Sequence, residues 1–330
     1  MAFFTSFRAL SIAGAVVVFL FYLLGGFWSF EPDTFNVKEA AIQEAKANNV
    51  DPVVGYTTTT TLIKVAEKLW DKPGGYLSND IMPPSVFLDN IPAWEFGVLE
   101  MTRDLSLAMR QSFSRSQSQS SENKFLKSAQ PKFNNDAHKW AFPSAESMYK
   151  KGVQDLYKYR NVLADPSQQG AQFYARADNL HDWLREVEKR LGSYSQRLSA
   201  SVGRSQLNTD LAGDRNARQS TQGSPEYMVK TSWWKIDDEF YEARGACWAL
   251  LHFLKAVEVD FADVLKDKNA NVSLQQIIRE LEASQATVWS PMVLNGSGFG
   301  LSANHSLVMA NYISRANAAL IDLRELLSKG

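Results

Sequence analysis

The sequence holds little of what usually makes a reaction recognisable. A single cysteine, Cys247, excludes an intrachain disulfide and any cysteine-based zinc cluster. Four scattered histidines leave little material for a histidine-rich metal site. Lys and Arg number 35 and Asp and Glu 36, so neither sign is in surplus. That balance argues against a nucleic-acid binder acting through a bulk basic surface. What is present is ordinary core material: 45% apolar and 22% charged residues over 330 positions, which excludes a wholly disordered chain.

Long apolar runs are also missing, with one exception. No charge lies between Arg8 and Glu31. Residues 9–30 would extend about 33 Å as a helix, enough for a hydrocarbon core of about 30 Å. Phe27, Trp28 and Phe30 close the run where an aromatic belt belongs. A cleavable signal peptide has a shorter apolar stretch and a small-residue cleavage site, whereas this run ends Gly-Gly-Phe-Trp-Ser-Phe. An uncleaved anchor is the expectation. Arg8 and the amino terminus precede the run, and Glu31 and Asp33 follow it, so positive-inside logic places the N-terminus in the cytoplasm. A lone cysteine suits an oxidising compartment for the rest. The expected division is a cytoplasmic tail (1–8), a transmembrane helix (9–30), a connector (31–56) broken by Pro32 and Pro52, and a periplasmic helical domain (57–330).

The body reads as all-α, a helical bundle or short helical array. Phe173, Ala177, Leu180, Leu184, Val187, Leu191, Tyr194 and Leu198 alternate spacings of four and three. So do Phe240, Ala243, Cys247, Leu250, Leu254, Val257, Phe261 and Val264, and again Met309, Ile313, Ala316, Leu320, Leu323 and Leu327. Such steps put each set on one narrow helix face. Further helices are expected over 58–70, 93–110, 144–163 and 273–289. No comparable period-two segment occurs, which argues against a sheet. An internal duplication is visible as well. Asp89-Asn90-Ile91 with Trp94 is echoed by Asp178-Asn179-Leu180 with Trp183, and Arg115-Ser116-Gln117 by Arg204-Ser205-Gln206 at the same offset. The implied units are 57–143 and 144–225, with 226–330 as remainder.

Candidate chemistry is thin. Glu146-Ser147 resembles the Glu-Ser pair of lytic transglycosylases, but Ser-Ala-Glu-Ser is also common helix-start composition, and the downstream motif is a poor match. Asp178, His181 and Asp182 would share a helical face without a second histidine-bearing helix to complete a metal site. Cys247 lies on an apolar seam, where a buried structural thiol is the default. Gly296, Gly298 and Gly300 follow no strand, so a dinucleotide fingerprint fails its context test. No catalytic residue, metal or cofactor is assigned.

Two loops carry the binding expectation. One, residues 73–80, has Gly and Pro setting its path and offers Tyr76, Asn79 and Asp80. The other, residues 113–120, offers Arg115, Gln117 and Gln119, a donor-rich set suited to an anionic or glycan ligand. Residues 73–80, Asp89-Asn90 with Trp94-Glu95-Phe96-Gly97, and residues 113–120 together resemble an uncharacterised family of proteobacterial proteins of unknown function. The resemblance covers nearly the whole chain. It implies a single-pass bacterial inner-membrane protein and supplies no activity or ligand. The expected function is a non-enzymatic, membrane-anchored periplasmic protein that binds or organises an envelope protein, glycan or lipid. Two alternatives stay open: an enzyme acting on cell-wall glycan or lipid through Glu146 or the Asp80 region, and a homo-oligomeric spacer.

Overall fold

The computed structural model describes residues 2–115, 121–207, 226–290, 292–297 and 300–329. Its helices are α1 (Ala2–Trp28), α2 (Val37–Ala47), α3 (Tyr56–Glu67), α4 (Asn90–Ala108), α5 (Lys124–Phe133), α6 (Ala145–Ala164), α7 (Ala177–Ser199), α8 (Ile236–Asp260), α9 (Ala262–Asp267), α10 (Asn271–Ser284) and α11 (His305–Ser328). A short antiparallel hairpin, β1 (Arg204–Leu207) and β2 (Glu226–Val229), joins α7 to α8. The all-α expectation therefore holds for the body, and the hairpin corrects the expectation of no sheet. Its strands are four residues each, too short for a period-two pattern to stand out.

The 3.5-residue seams lie on α7, α8 and α11, with Phe173 just ahead of α7; most of their members are buried in one contiguous core running from α3 to α11, and Phe173, Ala177 and Val264 pack half-buried against it. The second series is not one helix. The chain turns at Phe261 between α8 and α9, and Phe261 packs its ring against Phe113 and Phe173. Within residues 31–56, α2 occupies the middle of the segment. Val37, Ala41 and Ala45 recur every four residues and are buried. Asn36 caps the helix by accepting the Glu39 amide. Helix α5, amphipathic and capped by Asn123, follows the Ser-rich segment where no helix was expected. Ser144 does cap α6, accepting the amide of Ser147, and Asp165 ends it. Asp89 and Asp178 each accept the amide of the following Asn at the start of α4 and α7, and Trp94 and Trp183 are both buried.

Helices α4 and α8 form the spine and run in the same direction. Asp89 and Asp237 are electrostatic neighbours at their starts, and the rings of Phe113 and Phe261 meet 5.3 Å apart at their far ends. Two glycines bring the backbones together. A Cβ on Gly97 would lie 2.0 Å from the carbonyl oxygen of Glu242, and one on Gly245 would lie 2.1 Å from that of Trp94. Backbone cannot step aside as a side chain can, so Gly97→Ala is expected to cost about 3 kcal/mol, the upper range for overpacking. Urea unfolding of the full chain in detergent checks this; a loss under about 1 kcal/mol would mean the helices separate easily.

Helices α7 and α11 run antiparallel, with Ser195 bonded to Ser314 and Arg324 paired with Glu188. Helix α10 runs antiparallel to α8, with Lys255–Glu282 at 2.6 Å. As a result the starts of α4, α6, α8 and α11 gather at one end of the body with the ends of α3, α5, α7 and α10. That end receives α1.

Candidate functional site

Helix α1 is apolar from Phe7 to Trp28, with a mean hydropathy of 2.3, and only 6% of that stretch is buried in the protein. A soluble core helix of this composition would be covered by other helices. Among its described side chains, those that meet the body are in its last turn. Gly25 faces Leu88 and Pro84, and Trp28 presses on Gly74. One helix long and apolar enough to cross a membrane is thus present among the described residues.

The segment leaving α1 is extended, and α8 holds it at two points. The first is Glu31, whose Oε2 receives the Arg244 Nε at 2.6 Å. The Arg244 fork also donates to the carbonyls of Ser284, Gln285 and Ala286 at 2.9–3.2 Å, satisfying the orphan end of α10. One guanidinium therefore joins α1's exit, α8 and α10. Burial pushes the Glu31 carboxyl above its usual range, with Arg244 opposing.

The second point is His252, which is fully buried. The Phe35 amide, a donor only, lies 3.0 Å from Nε2, and the Trp248 carbonyl, an acceptor only, lies 2.7 Å from Nδ1. The imidazole is therefore neutral, accepting at Nε2 and donating from Nδ1. The Phe35 ring stacks on it with centroids 4.1 Å apart. Burial pushes His252 down to about 4, and nearby Lys255 adds to the shift. The unfolded histidine takes up its proton near pH 6.5, so falling pH favours the unfolded chain from there down to about 4. Full stability is present above that window. His252→Asn is expected to flatten the loss, by up to about 3 kcal/mol of its span; an unchanged acid slope between pH 6.5 and 4 would show that His252 titrates normally.

Around these two points lie two adjoining clefts of about 650 and 560 Å³, which share Thr34, Lys255 and Glu282. Their charged groups are balanced: Arg244, Lys255, Arg279 and Lys38 against Glu31, Asp33, Glu258 and Glu282. Lys255 and Glu282 are paired, as are Arg244 and Glu31.

The loop at residues 73–80 lies beside this joint and is held from beneath. Lys72 and Glu95 form an ion pair of 2.6 Å with no side-chain exposure. Glu95 also accepts the amides of Leu77 and Ser78 and the Ser78 hydroxyl, and Lys72 donates to the Gly75 carbonyl. Desolvation raises the Glu95 carboxyl, with Lys72 opposing most strongly. Sequence reasoning missed Glu95, Arg244 and His252. Each lies among apolar neighbours on a helix, and only the partner brought from elsewhere in the chain gives it meaning.

The expected binding residues separate. Tyr76 is buried, and its hydroxyl donates to the Ala137 carbonyl, so it packs inside the protein. Asn79 donates to the Lys139 carbonyl, and Asp80 is exposed. These three lie near the start of α4. Arg115 lies past its end, about 27 Å away for the 18 residues from Glu95 to Phe113. Gln117 and Gln119 lie outside the described residues. Arg115 therefore lies apart from Tyr76, Asn79 and Asp80. Glu146 pairs with Lys150 in the first turn of α6 and lines neither cleft. His181 lies 3.4 Å from Arg324, a cation where a metal site would need another ligand. Burial pushes the Cys247 thiol up to about 12, so it is no nucleophile.

These features define a class: an all-α body carried on one exposed apolar helix. The chain belongs to a family described as an uncharacterized protein conserved in bacteria (DUF2333), whose model matches residues 4–330. No curated protein and no solved structure matches it.

Proposed function

We propose that this is a non-enzymatic bacterial inner-membrane protein in which α1 spans the bilayer and the helical body stands in the periplasm, binding or organising an envelope partner. The observation that carries this reading is the joint. Glu31 and Phe35 are fastened to α8, so the body is set on its anchor and does not swing from a tether. Such rigidity suits a protein that presents a surface at fixed height. The N-terminus is assigned to the cytoplasm from Arg8, and the partner surface to Arg115, which follows the far end of α4, together with Gln117 and Gln119. The paired starts of α4 and α7 are read as the trace of a duplicated unit.

The test is mild in-cell crosslinking of the full chain. A Gly/Ser spacer of about ten residues inserted between Phe30 and Glu31, combined with Trp28→Ala, releases both the strap and the Trp28 contact on Gly74 and so uncouples anchor from body. Discrete envelope crosslinks in the wild type, lost in the spacer variant and in Arg115→Ala/Gln117→Ala, are expected. Crosslinks unchanged by the spacer would refute the positional role, and no crosslinks at all would refute partner binding.

A further inference from the structure

The exposed aromatic and methionine side chains of the body are not spread evenly. Among the described residues after α1, exposed Phe, Trp and Met occur at Phe30, Met82, Phe87, Trp140, Phe142, Met228, Trp233, Trp234, Trp289 and Met292. Every one lies at the end of the body that receives α1. Met82 and Phe87 flank the turn whose Pro84 and Leu88 face Gly25 of α1. Trp140 and Phe142 lie in the loop that Asn79 holds through Lys139. Trp233 and Trp234 precede α8, whose Asp237 neighbours Asp89 at the start of α4. Trp289 and Met292 follow the α10 end that Arg244 caps. Toward the opposite end, the exposed large apolar residues are aliphatic, among them Val53, Val54, Val272 and Ile321.

A solvated body has no reason to collect its aromatics at one end. Single exposed apolar residues are normal, whereas a contiguous collection marks an interaction surface. Trp in particular favours the boundary between headgroups and acyl chains. We infer that the anchor end of the body is a lipid-binding face, seated in the headgroup region with Met82, Phe87, Trp233 and Trp234 entering the acyl boundary. The inference rests on the reading of α1 as a membrane span. Given that span, the bilayer surface must lie where α1 leaves the body, and this is the surface carrying the aromatics. Exposed Lys139, Lys230 and Lys235 share the end with Asp33, Asp80 and Asp89, so the attraction is apolar and the seat does not require anionic lipid.

The experiment uses the full chain in vesicles of zwitterionic phosphatidylcholine. The native thiol, Cys247, is fully buried, so introduced cysteines are labelled selectively. A nitroxide is placed in turn by Phe87→Cys, Met82→Cys and Trp234→Cys at the seat, Val272→Cys at the far end, and Leu20→Cys within α1. Its exposure to dissolved oxygen, enriched in lipid, is compared with exposure to a water-soluble nickel chelate. The seat labels are expected to show an oxygen-to-nickel ratio several-fold above that at 272. Labels at 87, 82 and 234 matching 272, with 20 deep in lipid, would overturn the seat and leave the anchor standing. Label 20 in water would overturn the anchor itself. Seat labels shielded from both reagents would mean that a second copy covers the face, which also overturns the proposal. Three separate seat positions keep the test decisive if one variant fails to fold.

Discussion

Replacing Lys72 by Met is expected to destabilise the protein by about 3–5 kcal/mol, because it strands Glu95 as a buried charge. The pair has no side-chain exposure, and water cannot take the place of the ammonium. The remaining partners, the amides of Leu77 and Ser78 and the Ser78 hydroxyl, are too few to hold a full charge in an apolar core. The variant should then protonate Glu95. A carboxyl whose folded pKa is raised favours folding below its unfolded pKa and loses that contribution as pH rises through the folded value. The deficit of Lys72→Met is therefore expected to shrink toward acid pH. Adding Glu95→Gln should recover much of the loss at neutral pH, since a neutral amide is cheaper to bury. Urea unfolding of the single and double variants at two pH values checks both points. A neutral-pH loss near that of a surface pair, under about 1 kcal/mol, would show that the loop is not held in this way.

The second large effect falls on the joint. Arg244→Met removes the partner of Glu31 and leaves the carbonyls of Ser284, Gln285 and Ala286 without their donor. A cost of about 3–5 kcal/mol is expected for breaking a buried pair from one side. The local consequence is more specific than the global one. Residues 29–36 should become cleavable by protease under native conditions while α4 and α7 stay protected. Arg244→Lys keeps the charge but cannot spread over three carbonyls and a carboxylate, so it should fall between Met and wild type. Equal protease resistance in wild type and Arg244→Met would show that the segment is held by other contacts.

Periodicity made most of the body legible. The seams on α7, α8 and α11 are readable because each buries one face against neighbours, and burial of one face is what a 3.5-residue repeat encodes. Helix α2 is faint in the sequence because Pro32 and Pro52 bracket its segment and its buried face is three small or medium residues. The π turn after α4, Met109–Phe113, was equally invisible, since it depends on Phe113 reaching the ring cluster of Phe173, Trp183 and Phe261. The unusual backbone of residues 73–80 is legible in its Gly and Pro residues. Its Gly and Pro residues let it close over the Lys72–Glu95 pair and seat Trp28 on Gly74. The joint was illegible for a simpler reason. Glu31 and Arg244 are 213 positions apart and Phe35 and His252 are 217, and no local pattern links them.

On this reading the apolar helix and the helical body move as one piece through residues 31–35. Amide hydrogen exchange of the full chain in bilayer nanodiscs tests it most directly, read at Phe35, whose amide donates to His252. Protection at Phe35 comparable to the interior of α8, lost in His252→Asn, is expected. Exchange at Phe35 as fast as in an open linker would contradict it.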